Sequence, residues 1–208
     1  MNRLRIIFST LLAALAWLSV ITQLYLMLEN RVTPIPETIV RFFSFFTILT
    51  NTLVAFYFTV VSLHLPYLKK AGTLTAITVY ITIVGTVYQV VLRQIWEPTG
   101  LQMIVDELLH TINPLLTILF WCLYENKNAV RYKQVPGWLI YPFIYLVYIL
   151  ARGSFSGFYP YPFINVTSLG ITKTIMNAAV LLLVFIIVSV LFIFIGKLLS
   201  RQKLEAGR

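Results

Sequence analysis

Hydroxyl and amide side chains interrupt an apolar stretch of the chain, RFFSFFTILTN at residues 41–51. Ser44, Thr47 and Asn51 follow one another at spacings of three and four residues, so a helix would place them on one stripe. A second apolar stretch, LLHTINPLL, contains His110. A hydroxyl becomes an effective nucleophile when a base takes its proton, and imidazole suits that role near neutral pH. The two stretches together supply the parts of a hydrolytic site.

Further polar residues could complete such a site. Asp106 precedes His110 by four residues and shares its helix face, from which a carboxylate can orient an imidazole. Negative charge on an attacked carbonyl needs hydrogen-bond donors, which Arg, Asn or Tyr side chains provide. The candidates for these supporting roles are Thr47, Asn51, Arg93, Arg152, Tyr159 and Tyr161, the two tyrosines lying in the aromatic loop GFYPYPFIN at residues 157–165.

The composition predicts an integral membrane protein. The 208 residues are 59% hydrophobic and only 11% charged, which a soluble domain of this size could not accommodate. Backbone polar groups in lipid must bond within their own segment, so each apolar run is predicted to be a helix. The predicted fold is all-α, a six-helix transmembrane bundle forming one domain over residues 1–208. Its spans are residues 6–28, 38–65, 73–95, 103–124, 136–152 and 174–199.

Two of these spans need comment. The first resembles a signal peptide, but its apolar run exceeds the usual core of about 7–15 residues, so it is interpreted as a membrane helix. The fifth is short and contains Pro142, which is expected to kink the helix or to mark its first turns.

The basic residues predict the orientation. The net charge is +9, but the basic residues lie between and beyond the spans, which favours lipid headgroups and excludes nucleic acid as the expected partner. With the N-terminus in the cytoplasm, the inner side holds eleven of them: Arg3, Arg5, Lys69, Lys70, Lys127, Arg131, Lys133, Lys197, Arg201, Lys203 and Arg208. The outer side holds five: Arg31, Arg41, Arg93, Arg152 and Lys173. The positive-inside rule therefore predicts both termini in the cytoplasm and an even number of crossings. We expect a multipass protein of the plasma membrane.

This orientation brings two candidate residues to one depth. The second and fourth helices both begin on the outer side, near Thr38 and Met103. Ser44 then lies about 9 Å along its helix and His110 about 10 Å along its own.

The single cysteine, Cys122, rules out a disulfide within the chain and a cysteine metal cluster. No metal or organic cofactor is expected.

The stretches RFFSFFTILTN and LLHTINPLL, together with the loop GFYPYPF, resemble the androgen-induced family of multipass membrane hydrolases. That family cleaves fatty acid esters of hydroxy fatty acids with a threonine nucleophile, which follows a basic-aromatic-aliphatic triplet, and a histidine followed by Thr and Pro. The resemblance assigns the histidine to His110 and the nucleophile position to Ser44. Serine replaces the family's threonine there, and Thr47, one turn deeper, is the rival nucleophile.

The resemblance thus implies an intramembrane lipid-ester hydrolase whose substrate enters from the outer leaflet. Two other functions stay open on the residues alone. Asp106, His110 and the arginines would serve a small transporter or channel for protons or an organic anion. Alternatively, the polar stripe only holds helices together, since Ser and Thr bond to backbone or across helices. As a structural explanation, Arg93 and Arg152 would simply extend to lipid headgroups.

Overall fold

The computed structural model describes residues 3–65 and 70–205, with side chains as far as residue 200, and the described chain is helical. Of the predicted inner basic residues, Lys69 and Arg208 lie outside this part, as do the side chains of Arg201 and Lys203. The α-helices are α1 (Arg3–Glu29), α2 (Ile35–Phe42), α3 (Phe46–Ser62), α4 (Thr73–Val87), α5 (Gly100–Glu107), α6 (Asn113–Tyr124), α7 (Val135–Trp138), α8 (Ile140–Ser156) and α9 (Val166–Glu205).

The multipass membrane architecture agrees with the prediction. Within the described residues, five helical stretches are long and apolar enough to span a bilayer: Arg3–Glu29, Thr73–Leu92, Gly100–Tyr124, Tyr132–Ser156 and Val166–Ser200. The bent pair α2–α3 makes a sixth if it is counted as one span. Large apolar side chains are exposed along these helices, as a lipid-facing surface requires. The side of the membrane on which each terminus lies stays a prediction.

The second predicted span, residues 38–65, is not one straight helix. The axes of α2 and α3 differ by 72° across a break at residues 43–45. Ser44 lies in this break, where its Oγ donates to the Val40 carbonyl at 2.7 Å. Hydroxyl bonds to the preceding turn bend helices. The Tyr145 hydroxyl donates to the Ser44 carbonyl at 2.9 Å, which satisfies an acceptor that the bend has exposed.

Two π-helical segments interrupt the third and fourth spans, Tyr88–Leu92 after α4 and Leu108–Ile112 between α5 and α6. In the second π segment the Asn113 N–H bonds to the Leu108 carbonyl, five residues earlier. Pro114 follows and has no N–H to donate, so an α-helical pattern cannot resume there at once. Single π turns within α-helices are frequent at functional sites.

Helix packing brings these irregular segments together. α1 packs along α3, and α4 contacts α3, α6 and α9. Gly85 of α4 allows a close approach to the second π segment, because a Cβ built on it would lie 2.8 Å from the carbonyl oxygen of His110. The fifth predicted span proves longer than expected, and Pro142 lies in the first turn of α8.

Candidate active site

A hydroxyl and an imidazole from different helices meet inside the bundle. Thr47 Oγ1 lies 3.3 Å from His110 Nε2. Thr47 is the second residue of α3, just beyond the bend, and His110 is in the second π segment. Both residues are buried, with 7% and 8% of their surface exposed. Two side chains with complementary chemistry therefore share a buried site.

Hydrogen bonding fixes the direction of the proton in this pair. His110 Nδ1 lies 2.9 Å from the backbone carbonyl of Asp106. A carbonyl oxygen only accepts, so Nδ1 must carry hydrogen and the neutral ring presents its Nε2 lone pair to Thr47. The Thr47 hydroxyl consequently donates to Nε2. This is the arrangement in which an imidazole can take a proton from a hydroxyl.

Tyr161 holds Thr47 from the other side. Its hydroxyl oxygen accepts the Thr47 N–H at 3.2 Å and lies 3.3 Å from Thr47 Oγ1. Since the Thr47 proton is directed at His110, the Tyr161 O–H donates to Oγ1. The N–H groups in the first turn of a helix have no acceptor within the helix, and their partial positive charge favours anions nearby. Because α3 begins just after the bend, Thr47 lies in the first turn of a helix.

The ring of His110 is fixed by stacking. Tyr88, the first residue of the first π segment, stacks on the imidazole with ring centroids 3.9 Å apart and planes inclined by 10°. The close contact of Gly85 with the His110 backbone brings the two helices near enough for this stack. Each π segment therefore contributes one ring of the pair.

The carboxylate of Asp106 does not orient His110, contrary to the sequence expectation. Its two oxygens accept hydrogen bonds from Trp96 Nε1 at 2.6 Å and Gln102 Nε2 at 3.1 Å. The backbone carbonyl of the same residue holds the imidazole instead. The physical reason is that the helix directs the carboxylate toward the loop after the first π segment, where an indole N–H donates a hydrogen bond to it.

The sequence predicted that the Ser44 hydroxyl faces His110, but the structure places this hydroxyl elsewhere. Beyond its bond to Val40, its Oγ lies 3.4 Å from the Tyr148 hydroxyl. Among the hydrogen bonds of the described residues, Nε2 of His110 pairs with Thr47. The bend explains why Thr47 and not Ser44 is paired with His110, because it turns Ser44 toward α8 and leaves Thr47 facing the second π segment.

Asn51 supports the site through hydrogen bonds to its backbone. Its Nδ2 donates to the Thr47 carbonyl at 2.9 Å and to the Leu109 carbonyl at 3.2 Å, and its Oδ1 accepts from Asn113 Nδ2 at 2.8 Å. The same Asn113 nitrogen donates to Ser19 of α1 at 2.9 Å. Asn51 therefore links α3 and the second π segment to α1, and it lines neither of the two cavities described below.

The two candidate arginines lie away from the Thr47–His110 pair. The Arg93 guanidinium donates to the Glu107 carboxylate and to the Gln89 side chain. Gln89 and Glu107 are both hydrogen-bonded to the Thr111 hydroxyl. This exposed hydrogen-bond network connects the two π segments. Arg152 binds Glu37 at 2.9 Å. These contacts position helices, and the structure does not bring either guanidinium to Thr47.

The Tyr159 side chain packs against α8 and does not reach the Thr47–His110 pair. A Cβ built on Gly153 would fall 2.1 Å from the Tyr159 ring, so this ring lies directly on the glycine of α8. Phe158 beside it lies under two guanidinium groups, those of Arg41 at 4.6 Å and Arg152 at 5.0 Å. The aromatic loop thus closes the end of the bundle, and of its two candidate tyrosines only Tyr161 reaches the site.

Two cavities adjoin the site. The first has a volume of about 530 Å³ and lies between the loop end of the bundle and His110. The second has a volume of about 300 Å³ and lies between α4, α8 and α9. Thr47, Leu92 and Tyr161 line both cavities, whereas His110 lines the first. The hydroxyl of Thr47 is therefore reachable by a small molecule.

Sequence reasoning missed Gly85, Tyr88 and Trp96. Gly85 had a detectable signal, since a glycine inside a membrane helix marks close backbone approach. Pro114, four residues after His110, likewise indicated an irregular backbone at the histidine. Nothing in the sequence indicated that Tyr88 stacks on His110 or that Trp96 binds Asp106.

The described residues contain no group of three His, Cys, Asp or Glu side chains placed to hold a metal ion.

Comparisons with protein-family models, curated proteins and solved structures found no match to this chain. The arrangement combines a hydroxyl, an imidazole nitrogen that accepts its proton, and a tyrosine hydroxyl beside them, which are parts that an acyl-transfer site requires.

Proposed function

We propose that the chain is an intramembrane hydrolase of lipid esters, with Thr47 as nucleophile and His110 as general base. One observation carries the proposal: Thr47 Oγ1 lies 3.3 Å from an imidazole nitrogen whose lone pair faces it, at the wall of an open cavity. The sequence resemblance to hydrolases of fatty acid esters of hydroxy fatty acids suggested the same chemistry with Ser44 as nucleophile. The geometry favours Thr47.

The reaction proceeds in two acyl transfers. Thr47 Oγ1 attacks the ester carbonyl carbon while its proton passes to His110 Nε2. The tetrahedral intermediate collapses, the C–O bond to the alcohol breaks, and His110 returns the proton to the departing alcohol. Water then attacks the carbonyl carbon of the acyl-Thr47 ester while His110 takes a proton from it. The bond between the acyl carbon and Thr47 Oγ1 breaks, and His110 returns the proton to Oγ1. The products are the fatty acid, the alcohol and free Thr47.

Tyr161 and the start of α3 stabilise the oxyanion of each intermediate. The Tyr161 O–H donates to Thr47 Oγ1 at 3.3 Å, so in this scheme it would be beside the carbonyl oxygen of an ester that Thr47 attacks. The first-turn N–H groups of α3 add a favourable field. Donors aimed at the developing charge contribute most of the rate enhancement in many acyl-transfer enzymes.

The surroundings favour a lipid as substrate. Thr47 lies among phenylalanines of the bend, Phe45 and Phe46, and the second cavity is lined almost entirely by apolar side chains. We propose that the substrate enters from the outer leaflet of the plasma membrane, toward which the predicted orientation directs the loop end. No cofactor takes part in this scheme.

Covalent labelling tests the function directly. The purified protein in detergent would be treated with an alkyl fluorophosphonate, and the modified residue identified by mass spectrometry. We expect the adduct on Thr47, and no adduct in Thr47→Val or His110→Gln. Hydrolysis of a p-nitrophenyl ester is expected to be lost in the same two variants.

Thr50→Val is the matched control. Thr50 is a buried threonine one turn further along α3, and its hydroxyl pairs with Tyr141 at 3.1 Å. This variant should label normally. An adduct on Ser44, or equal labelling in all three variants, would refute Thr47 as the nucleophile. A protein that takes no label and moves protons or organic anions across liposomes would be a transporter instead.

A further inference from the structure

Thr47 stands between two cavities of different character. The second cavity has 20 lining residues, and only Thr47, Tyr145 and Tyr161 among them carry a polar side-chain atom. The Tyr145 hydroxyl is already donated to the Ser44 carbonyl. The second cavity is therefore apolar throughout except where it meets Thr47.

The second cavity also reaches the lipid-facing surface. Its lining residues Phe143 and Ile175 are 60% and 56% exposed, on α8 and α9 respectively. An acyl chain can thus extend from Thr47 between these helices toward the bilayer interior without meeting a polar group. The chain would exchange lipid contacts for contacts with equally apolar side chains, so its entry would expose no methylene to water.

The first cavity differs in its polar lining. It contains Gln23, Arg31, Arg41 and Gln102 in addition to His110 and Asp106. It reaches the surface at the loop end, where Val32 and Trp96 are exposed. Water and a polar group can enter from this side, and both are needed where the alcohol leaves.

The position of His110 decides which half of an ester belongs to which cavity. The base that takes the Thr47 proton must return it to the departing alcohol oxygen. His110 lines the first cavity, and the second cavity has no lining histidine or other ionisable group except tyrosine. The alcohol must therefore leave on the side of the first cavity.

We propose that the second cavity is the acyl-chain subsite and that the first cavity binds the alcohol portion of the ester. This assignment rests on the proposed hydrolase function and extends it to the orientation of the substrate. It makes the protein selective for acyl length through α8 and α9, and for the alcohol through α1 and the loop end.

Two ester series test the orientation. The first joins p-nitrophenol to acyl chains from acetate to palmitate, and the second joins butyrate to straight-chain alcohols of increasing length. Ala178→Phe fills the second cavity from α9, and Met27→Trp fills the first cavity from α1. Val180→Phe is the control, since Val180 is 60% exposed on the same helix and lines neither cavity.

We expect Ala178→Phe to lower kcat/KM for the palmitate ester by about tenfold or more, the effect that a steric clash of methylene size has in an apolar pocket. The acetate ester should lose much less activity than the palmitate ester, and the Val180→Phe protein should cleave every ester at the wild-type rate. Met27→Trp should reduce only the rates of long-chain alcohol esters. Ala178→Leu provides a milder substitution if the phenylalanine variant fails to fold.

The opposite pattern, or an equal effect of Ala178→Phe on short and long acyl chains, would overturn the subsite assignment while Thr47-dependent hydrolysis survives. Loss of the function itself is recognised separately, because wild-type protein would then cleave no ester in either series. A second measurement does not need turnover: a long-chain alkyl fluorophosphonate with a terminal diazirine is attached to Thr47 and photolysed. Crosslinks to α8 or α9 support the assignment, and crosslinks to α1 or α2 refute it.

Discussion

The side-chain amide of Asn51 donates a hydrogen bond to the backbone carbonyl of Leu109, 3.2 Å away on another helix. This carbonyl lacks its ordinary helical donor, because the Asn113 N–H bonds to Leu108 instead. Asn51 thus compensates for the π segment that carries His110. An irregular backbone inside a membrane bundle is tolerated only where neighbouring side chains satisfy it.

Replacement of Asn51 by leucine should destabilise the bundle. The change leaves the Leu109 carbonyl and the Asn113 amide without this partner, and each unsatisfied buried polar group costs about 1–3 kcal/mol. Thermal unfolding in detergent would measure the loss. Asn113→Leu should be destabilising too, and the double variant should lose less than the sum, since the two amides interact directly at 2.8 Å. Strictly additive losses would contradict this network.

Ser44→Ala should separate the bend from the chemistry. The serine hydroxyl donates to Val40 and contacts Tyr148, so its removal should lower stability by about 0.5–1.5 kcal/mol, the net value of one hydrogen bond. Fluorophosphonate labelling and ester hydrolysis should persist. A Ser44→Ala protein that keeps its stability but loses labelling would restore Ser44 as the nucleophile.

Gly85→Ala should move His110. The new Cβ would lie 2.8 Å from the His110 carbonyl oxygen, so α4 and the second π segment must separate. Overpacking of this kind costs about 1–3 kcal/mol, which exceeds the gain of about 1 kcal/mol from replacing glycine by alanine in a helix. Misplacement by about 1 Å can reduce a rate about 100-fold. Ester hydrolysis kinetics and thermal unfolding measure the two effects.

Gly137→Ala is the matched control for that variant. No atom lies within 4 Å of a Cβ built at this helical glycine, so both activity and stability should be retained. Equal activity in the Gly85→Ala and Gly137→Ala proteins would show that the close contact at His110 has no role in the site.

Tyr161→Phe should lower kcat more than it changes KM. The substitution keeps the ring, which stacks on Phe163 at 5.2 Å, and removes the hydroxyl beside Thr47. Loss of one oxyanion donor typically lowers kcat about 100- to 1000-fold. Tyr141→Phe, which removes a hydroxyl bonded to Thr50, should leave kcat near the wild-type value. A purely structural Tyr161 would instead give two variants with similar kcat and lowered stability.

Much of the helical plan was accessible from the sequence. Apolar run length predicted the spans, since each must satisfy its own backbone in lipid over about 20 residues. Residue chemistry selected His110 and the hydroxyl stripe, and Thr47 was recognised as the rival of Ser44. The structure places the Asp106 carboxylate, Arg93, Arg152 and Tyr159 elsewhere: the carboxylate accepts from Trp96 and Gln102, the two arginines pair with glutamates of other helices, and Tyr159 packs on Gly153.

The sequence by itself determined that this chain forms apolar helices and that a hydroxyl-bearing helix and a histidine-bearing helix belong to one bundle, because composition and period act locally. Only the tertiary structure decided that Thr47 rather than Ser44 faces His110. The 72° bend at residues 43–45 and the π segment around His110 rotate side chains away from the directions of ideal helices. Such rotations depend on contacts between distant residues, such as the Tyr145 hydroxyl with Ser44 and Gly85 with His110, which no spacing rule along one helix can express.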